Sequence, residues 1–248
     1  MIEVRNLSKR FGDHCILSGI TIDIEKGESL VIIGRSGGGK IVLLKHLIGL
    51  LQPDSGEVRI DGQDIVGMDE RELLAVRRRF GMVFQGAALF DSMTVAENVG
   101  FALQRERLMA EDEISKKVAE ILEMVDLPGT EEKKPAELSG GMRKRVGLAR
   151  AIVYEPEIVL YDEPTTGLDP IVSDSIDQLI ERVRDRLHVT SVVVTHDMRS
   201  ARRLGQRILM LHDKKIYASG TADEIFNSKD PIVRQFIDGV SDTKEHYF

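Results

Sequence analysis

The feature that most constrains this chain is the run Gly34-Arg35-Ser36-Gly37-Gly38-Gly39-Lys40. It follows Ser29-Leu30-Val31-Ile32-Ile33, an apolar, β-branched stretch that reads as a buried parallel strand. It leads into the helical spacing of Val42, Leu43, Leu44, Leu47 and Ile48. Strand, glycine loop and helix in that order form a phosphate-binding arrangement. The glycines let successive backbone N–H groups converge on one concavity, the helix N-terminus adds partial positive charge, and Lys40 reaches the outer phosphates of a nucleotide. A chain built this way folds as an α/β domain.

One position departs from the pattern. After G-x-x-x-x-G-K the chemistry calls for Ser or Thr, whose hydroxyl ligates the Mg²⁺ bridging the outer phosphates, and this chain has Ile41. A water could in principle replace that oxygen. Isoleucine is larger, apolar and branched at Cβ, and it occupies the space such a water needs. The expectation is that ATP still binds while hydrolysis falls by roughly 10²-fold or more, the scale of losing one preorganised transition-state contact.

With 248 residues, 42% of them hydrophobic, the chain can bury the core of one large domain with a subdomain. A net charge of −7 argues against a nucleic-acid binder working through a broad basic face. Cys15 is the only cysteine, so no internal disulfide forms, and no secretion signal is read at the N-terminus, which points to a reducing cytoplasm. The longest apolar stretch, Ile41 to Leu51, is broken by Lys45 and His46 and falls short of the roughly 18 residues that cross a bilayer.

Along the chain, Ile2 to Leu7 alternates like an edge strand, Ile20 to Ile24 alternates again, and Phe11 falls on the loop between them. An aromatic there is often core; upstream of a phosphate loop it reads as the residue that stacks on adenine. Val58 to Gly62 is a strand entering a turn, Glu70 to Arg79 has helical spacing, and Met82-Val83-Phe84 is a short strand ending in Gln85. The segment 86–154 is helical and charged. Ile114, Val118, Ile121, Leu122 and Val125 share a face, and the segment reads as an inserted helical subdomain between core segments 1–85 and 155–248. It closes on Leu138-Ser139-Gly140-Gly141, with Ser139 as an N-cap.

Ile158 to Tyr161 is a strand that delivers Asp162-Glu163 at its carboxyl end, where open α/β sheets bind ligands. Asp162 can hold Mg²⁺ through its water shell, and Glu163 can polarise a water aimed at phosphorus. Asp169-Pro170 starts a helix striped with Val172, Ile176, Leu179, Ile180, Val183 and Leu187, and Ser191 to Thr195 is a further strand ending in His196. Strands at 208–211 and 216–218 follow, then a capping box at Thr221 to Glu224 and a last helix from Asp230-Pro231 to Gly239. Arg199, Arg202, Arg203 and Arg207 read as a solvated helix stripe.

The ordered set Phe11, glycine loop, Gln85, Leu138 to Gly141, Asp162-Glu163, Gly167-Leu168-Asp169 and His196 resembles the ATP-binding-cassette ATPases over essentially the whole chain. Three stretches sharpen the resemblance: Gln85 to Val95, Met142-Arg143-Lys144-Arg145, and Asp230 to Phe236 look like the ATPase subunits of Mla-type phospholipid transporters.

The resemblance implies a P-loop core with an N-terminal antiparallel β subdomain and a head-to-tail homodimer holding two ATP molecules. Phe11, Gly34 to Lys40, Ile41 and Val42 would bind the nucleotide of one subunit, Ser139, Gly140 and Gly141 would meet it from the other, and Asp169, counted with the nucleotide-binding residues, would communicate across the dimer. Lys40 would hold phosphates, Asp162 and Gln85 would position Mg²⁺ and water, Glu163 would act as general base and His196 would contact the γ-phosphate. Integral membrane permease subunits, with substrate-binding and regulatory subunits, are the implied partners at the cytoplasmic face of a bacterial inner membrane. Two other classes compete: a hydrolysis-impaired, ATP-gated dimerisation module, motivated by Ile41, and a cassette protein of DNA repair or translation. The second class carries long coiled-coil insertions or tandem cassettes, which this chain lacks.

Overall fold

A computed structural model describes residues 1–107 and 109–240. Elements are numbered along the chain, whose described residues divide into two compact units, 1–68 with 194–240 and 69–107 with 109–193.

The first unit carries β1 (Ile2–Phe11), β2 (His14–Ile24), β3 (Ser29–Gly34), α1 (Lys40–Leu47), β4 (Ser55–Ile60) and β5 (Gln63–Asp64). From the C-terminal part it adds α7 (Met198–Leu204), β9 (Arg207–His212), β10 (Lys215–Thr221), α8 (Ala222–Phe226) and α9 (Pro231–Asp238). Four strands form an antiparallel sheet in the order β2-β1-β4-β5. Ile2, Val4, Leu7, Leu17, Ile20, Ile22 and Ile24 supply its buried face.

Two expectations need correction here. β1 is an interior strand, bonded to β2 on one side and β4 on the other. Alternation reports only that one face is buried, and the second neighbour comes from some fifty residues further on. Phe11 ends β1 opposite His14 across the two-residue turn Gly12-Asp13, so it stands on a strand end and not on the loop.

β3 is buried along its whole length and pairs in parallel with β9, from Leu30 with Arg207 to Gly34 with Leu211, while β10 runs antiparallel to β9. Arg207 therefore opens β9, where its guanidinium holds Glu28, and it is not part of a helical stripe with Arg199, Arg202 and Arg203. The caps expected in the tail form: Thr221 and Glu224 make a capping box, and Asp230 caps α9 ahead of Pro231.

The second unit carries α2 (Glu70–Arg77), β6 (Phe80–Val83), α3 (Val95–Glu106), α4 (Glu111–Met124), α5 (Gly140–Ile152), β7 (Ile158–Asp162), α6 (Pro170–Leu187) and β8 (Thr190–Val194). Its strands neighbour one another in the order β8-β7-β6, with β6 and β7 parallel. α3, α4 and α5 pack together through Val99, Leu103, Ile114, Val118, Ile121, Leu122, Val146 and Leu148. Gly100 leaves room for α4, since a Cβ there would sit 3.1 Å from an Ile114 methyl. Asp69 and Glu72 close a capping box on α2. Arg79 grips Glu157 with two hydrogen bonds of 2.8 and 2.9 Å, tying the start of β6 to the approach of β7.

Candidate nucleotide site

In the first unit the glycine loop leaves β3 at Gly34, where φ is +151° and a Cβ would meet the Leu211 carbonyl oxygen at 2.5 Å. At Gly38 a Cβ would come within 2.8 Å of the Arg35 carbonyl oxygen. At Gly39, the left-handed N-cap of α1, it would reach Leu17 at 2.8 Å. The loop backbone thus follows a path that side chains forbid. Leu43 N–H makes the first helical bond, to Gly39, so the amides of Lys40, Ile41 and Val42 precede it in the first turn.

Lys40 is buried, with 7% of its surface exposed, and its Nζ donates to the carbonyls of Gly34 at 2.7 Å and Arg35 at 3.0 Å. Ile41 and Val42 are half-buried. A cleft of about 230 Å³ runs along Arg35, Ser36, Gly37 and Gly38 against Cys15, Ile16 and the turn after β9. Phe11 keeps 47% of its surface exposed, with Lys9 Nζ 5.6 Å from the ring centre. His196 is exposed, following β8 and preceding Asp197, which caps α7. The loop amides, the ammonium and the helix start are hydrogen-bond donors of the kind that suits a polyphosphate.

In the second unit, β7 ends in Asp162, followed by Glu163 in the left-handed region at φ +49°. The Glu163 carboxylate accepts from Thr166 Oγ1 at 3.1 Å. Gln85 is exposed just beyond β6. Ser139 caps α5, its Oγ accepting from Met142 N–H at 3.2 Å. Gly140 and Gly141 are where α5 meets the start of α6: a Cβ would lie 3.3 Å from a Leu168 methyl at the first and 2.7 Å from a Val172 methyl at the second. Asp169 caps α6 through the amides of Ile171 and Val172. The unit therefore brings Ser139 to Gly141 beside Leu168 and Val172.

It also brings Gln85 near Glu163 through a residue not expected to matter. Lys144 is buried, and its Nζ donates to the Gln85 carbonyl at 2.5 Å and the Glu163 carbonyl at 3.2 Å. Burial pushes its ammonium below the ordinary lysine range, with Glu163 and Asp162 pulling it back. The only sequence signal was a cation in the unusual run after Ser-Gly-Gly. Thr166 had none.

Within the second unit Asp162 and Gln85 offer the hard oxygen donors a divalent cation takes. Among the described residues no cluster of three or more His, Cys, Asp or Glu could hold a metal by itself. Two oxygen donors leave most of the coordination of such an ion to other ligands. Among the same residues no helix is long and apolar enough to cross a membrane.

A glycine loop at a helix start, together with an acidic pair at a strand end, defines a P-loop nucleoside-triphosphate-binding protein. The chain belongs to the ABC transporter family, whose profile matches residues 17–166. It is 44% identical over 238 residues to the probable ribonucleotide transport ATP-binding protein mkl of Mycobacterium leprae, covering 96% of this chain and 69% of that one. Other mycobacterial proteins of that name are covered to 66%, just under two thirds. It is 41% identical over 242 residues to the intermembrane phospholipid transport system ATP-binding protein MlaF of Haemophilus influenzae, covering 98% of this chain and 92% of that one. Among solved structures, the dimeric post-hydrolysis state of the ATP-binding cassette MJ0796, bound to ADP and Pi, matches with a TM-score of 0.81 and 35% identity, over 90% of this chain and 99% of that one. The fold is that of an ABC ATPase, and the chain is an ATP-binding cassette of the ATPase class.

Proposed function

We propose that this chain is the ATPase subunit of a transporter that moves phospholipids at the bacterial cell envelope. The observation that carries the reading is its 41% identity to MlaF along 98% of this chain and 92% of that protein. It works as a head-to-tail homodimer, supported by the dimeric cassette it resembles, beneath integral permease subunits at the cytoplasmic face of the inner membrane. The segment 86–154 serves as its helical subdomain.

Phe11 stacks on adenine, and Gly34 to Val42 hold the phosphates through backbone amides and the Lys40 ammonium. Glu163 accepts the proton of the attacking water, with its carboxylate aimed by Thr166. His196 contacts the γ-phosphate, and Ser139 to Gly141 with Asp169 face the nucleotide of the other protomer. Bound Mg²⁺ would neutralise charge on the outer phosphates, and Asp162 and Gln85 are the residues that would orient it.

The test purifies the membrane complex through a tag on this chain, reconstitutes it in liposomes, and follows Mg²⁺-dependent ATP hydrolysis with labelled phospholipid or ribonucleotide present. Phospholipid-stimulated turnover that Glu163→Gln lowers by 10²-fold to 10⁴-fold at unchanged ATP affinity is expected. Stimulation by ribonucleotide alone would replace the substrate assignment with the one in the name of the mycobacterial relative.

A further inference from the structure

Helix α5 begins at the Ser139 cap, and its inward face grips a segment far from it in sequence. Gly81 in β6 lies so close to it that a Cβ would sit 2.3 Å from the Ala151 carbonyl oxygen, and at Gly147 a Cβ would meet Ala87 at 3.2 Å. These two glycines lay β6 and the loop after it directly on the helix. Arg150 then donates to the carbonyls of Ala88 at 2.6 Å and Ala87 at 2.8 Å, and Lys144 donates to that of Gln85 at 2.5 Å.

The gripped backbone is strained. Ala87 has φ +60° and Ala88 φ +49°, a region disfavoured for residues with a Cβ, which persists where the surroundings hold it. Glu163 shares that conformation at φ +49°, and its carbonyl is the second acceptor of Lys144, at 3.2 Å. Each of the three left-handed residues thus has its carbonyl bonded to a cation of α5. The ammonium of Lys144 is the shared point, bonded at once to Gln85, two residues past β6, and to Glu163, the residue after β7.

We propose that Lys144 and Arg150 are positioning residues that make the orientation of Glu163 depend on the conformation of the loop 85–88. Arg150 holds the loop in its left-handed form. Lys144 passes the position of the Gln85 backbone to the Glu163 backbone across two hydrogen bonds, so a shift of the loop turns the general base away from its water. Both side chains act through backbone carbonyls. The inference rests on the reading of Glu163 as general base.

The experiment compares Lys144→Met, Lys144→Arg, Arg150→Met and Arg150→Lys in the full chain and in its Ile41→Ser variant. It measures kcat, KM, ATP affinity and hydrogen exchange at the amides of residues 86–89. Lys144→Met is expected to lower kcat by roughly 10²-fold, the effect of about 1 Å of misplacement, with ATP affinity within twofold. Lys144→Arg, which keeps a donor, is expected to recover most of the rate. Arg150→Met should accelerate exchange at 86–89 and lower kcat, and Arg150→Lys should do less of both.

Unchanged kcat in a folded Lys144→Met chain overturns the proposal, as does a loss of rate that tracks a loss of ATP affinity without recovery in Lys144→Arg. If neither the natural chain nor Ile41→Ser turns over ATP, the hydrolysis reading itself fails. The exchange data then decide separately: unchanged exchange in Arg150→Met and Arg150→Lys refutes the grip on the loop.

Discussion

Replacing Ile41 by serine tests the chemistry of the site most directly. Ile41 is half-buried on the first turn of α1, directly after Lys40. Fully burying an isoleucine side chain is worth about 1.5–3 kcal/mol, so emptying a half-buried one should cost about 1 kcal/mol and lower Tm by roughly 2–4 °C. Against that small loss, the serine hydroxyl restores one oxygen aimed at the cation that accompanies the outer phosphates. One preorganised contact of that kind changes rate by about 10²-fold, or about 2.7 kcal/mol of barrier. The variant should therefore be slightly less stable and much faster, with ATP affinity nearly unchanged. Steady-state hydrolysis across a Mg²⁺ titration, with nucleotide affinity and thermal melting on the same samples, reads all three. Ile41→Ala is the control: it removes the bulk without supplying an oxygen, so it opens room for a water and should recover only part of the rate that Ile41→Ser recovers. Equal turnover and equal Mg²⁺ dependence in the natural chain and Ile41→Ser would refute the reasoning. Recovery in Ile41→Ala as large as in Ile41→Ser would assign the defect to bulk and not to a missing ligand.

Two further outcomes follow from the geometry. Gly34→Ala would put a methyl 2.5 Å from the Leu211 carbonyl oxygen, backbone that cannot swing aside, so a loss of about 2–3 kcal/mol in chemical denaturation is expected, together with weaker nucleotide binding; wild-type stability would disprove the close approach. His46 is buried, its Nδ1 bonded to the Val42 carbonyl, and burial, reinforced by Lys9 and opposed by the bonds to the Val42 and Gln52 backbone and by Asp54, holds its pKa below the ordinary 6.5. The unfolded chain then takes the proton more readily, so stability is intact above about pH 6.5 and is lost as pH falls through the folded value. His46→Gln should flatten the stability profile below about pH 6.5, and an unaltered slope would show that His46 does not carry it.

The local signals in this sequence were strong. Ser139, Asp169-Pro170, Thr221 to Glu224 and Asp230-Pro231 each start a helix where a side-chain cap was expected. A cap is a bond between neighbours within three residues, so it is legible without knowing the fold. The face shared by Ile114, Val118, Ile121 and Leu122 is buried as its spacing required. β1 shows the opposite case: its alternation gave the buried face, but its place between β2 and β4 depends on a partner remote in sequence. Arg207 looked continuous with the arginines before it, yet Gly205 ends α7 and the strand begins.

The sequence by itself determined the chemistry of this protein, because a glycine loop on a strand end, a capped Ser-Gly-Gly and an acid pair after a buried strand are short-range patterns whose spacing dictates the donors and acceptors they offer. Tertiary structure alone decided what supports those groups. The left-handed backbone at Ala87, Ala88 and Glu163, and the cations of α5 that hold it, join segments up to about eighty residues apart, so no local pattern records them. Lys144 is a cation in a charged run when read along the chain, and it becomes a link between Gln85 and Glu163 only once β6, β7 and α5 have packed.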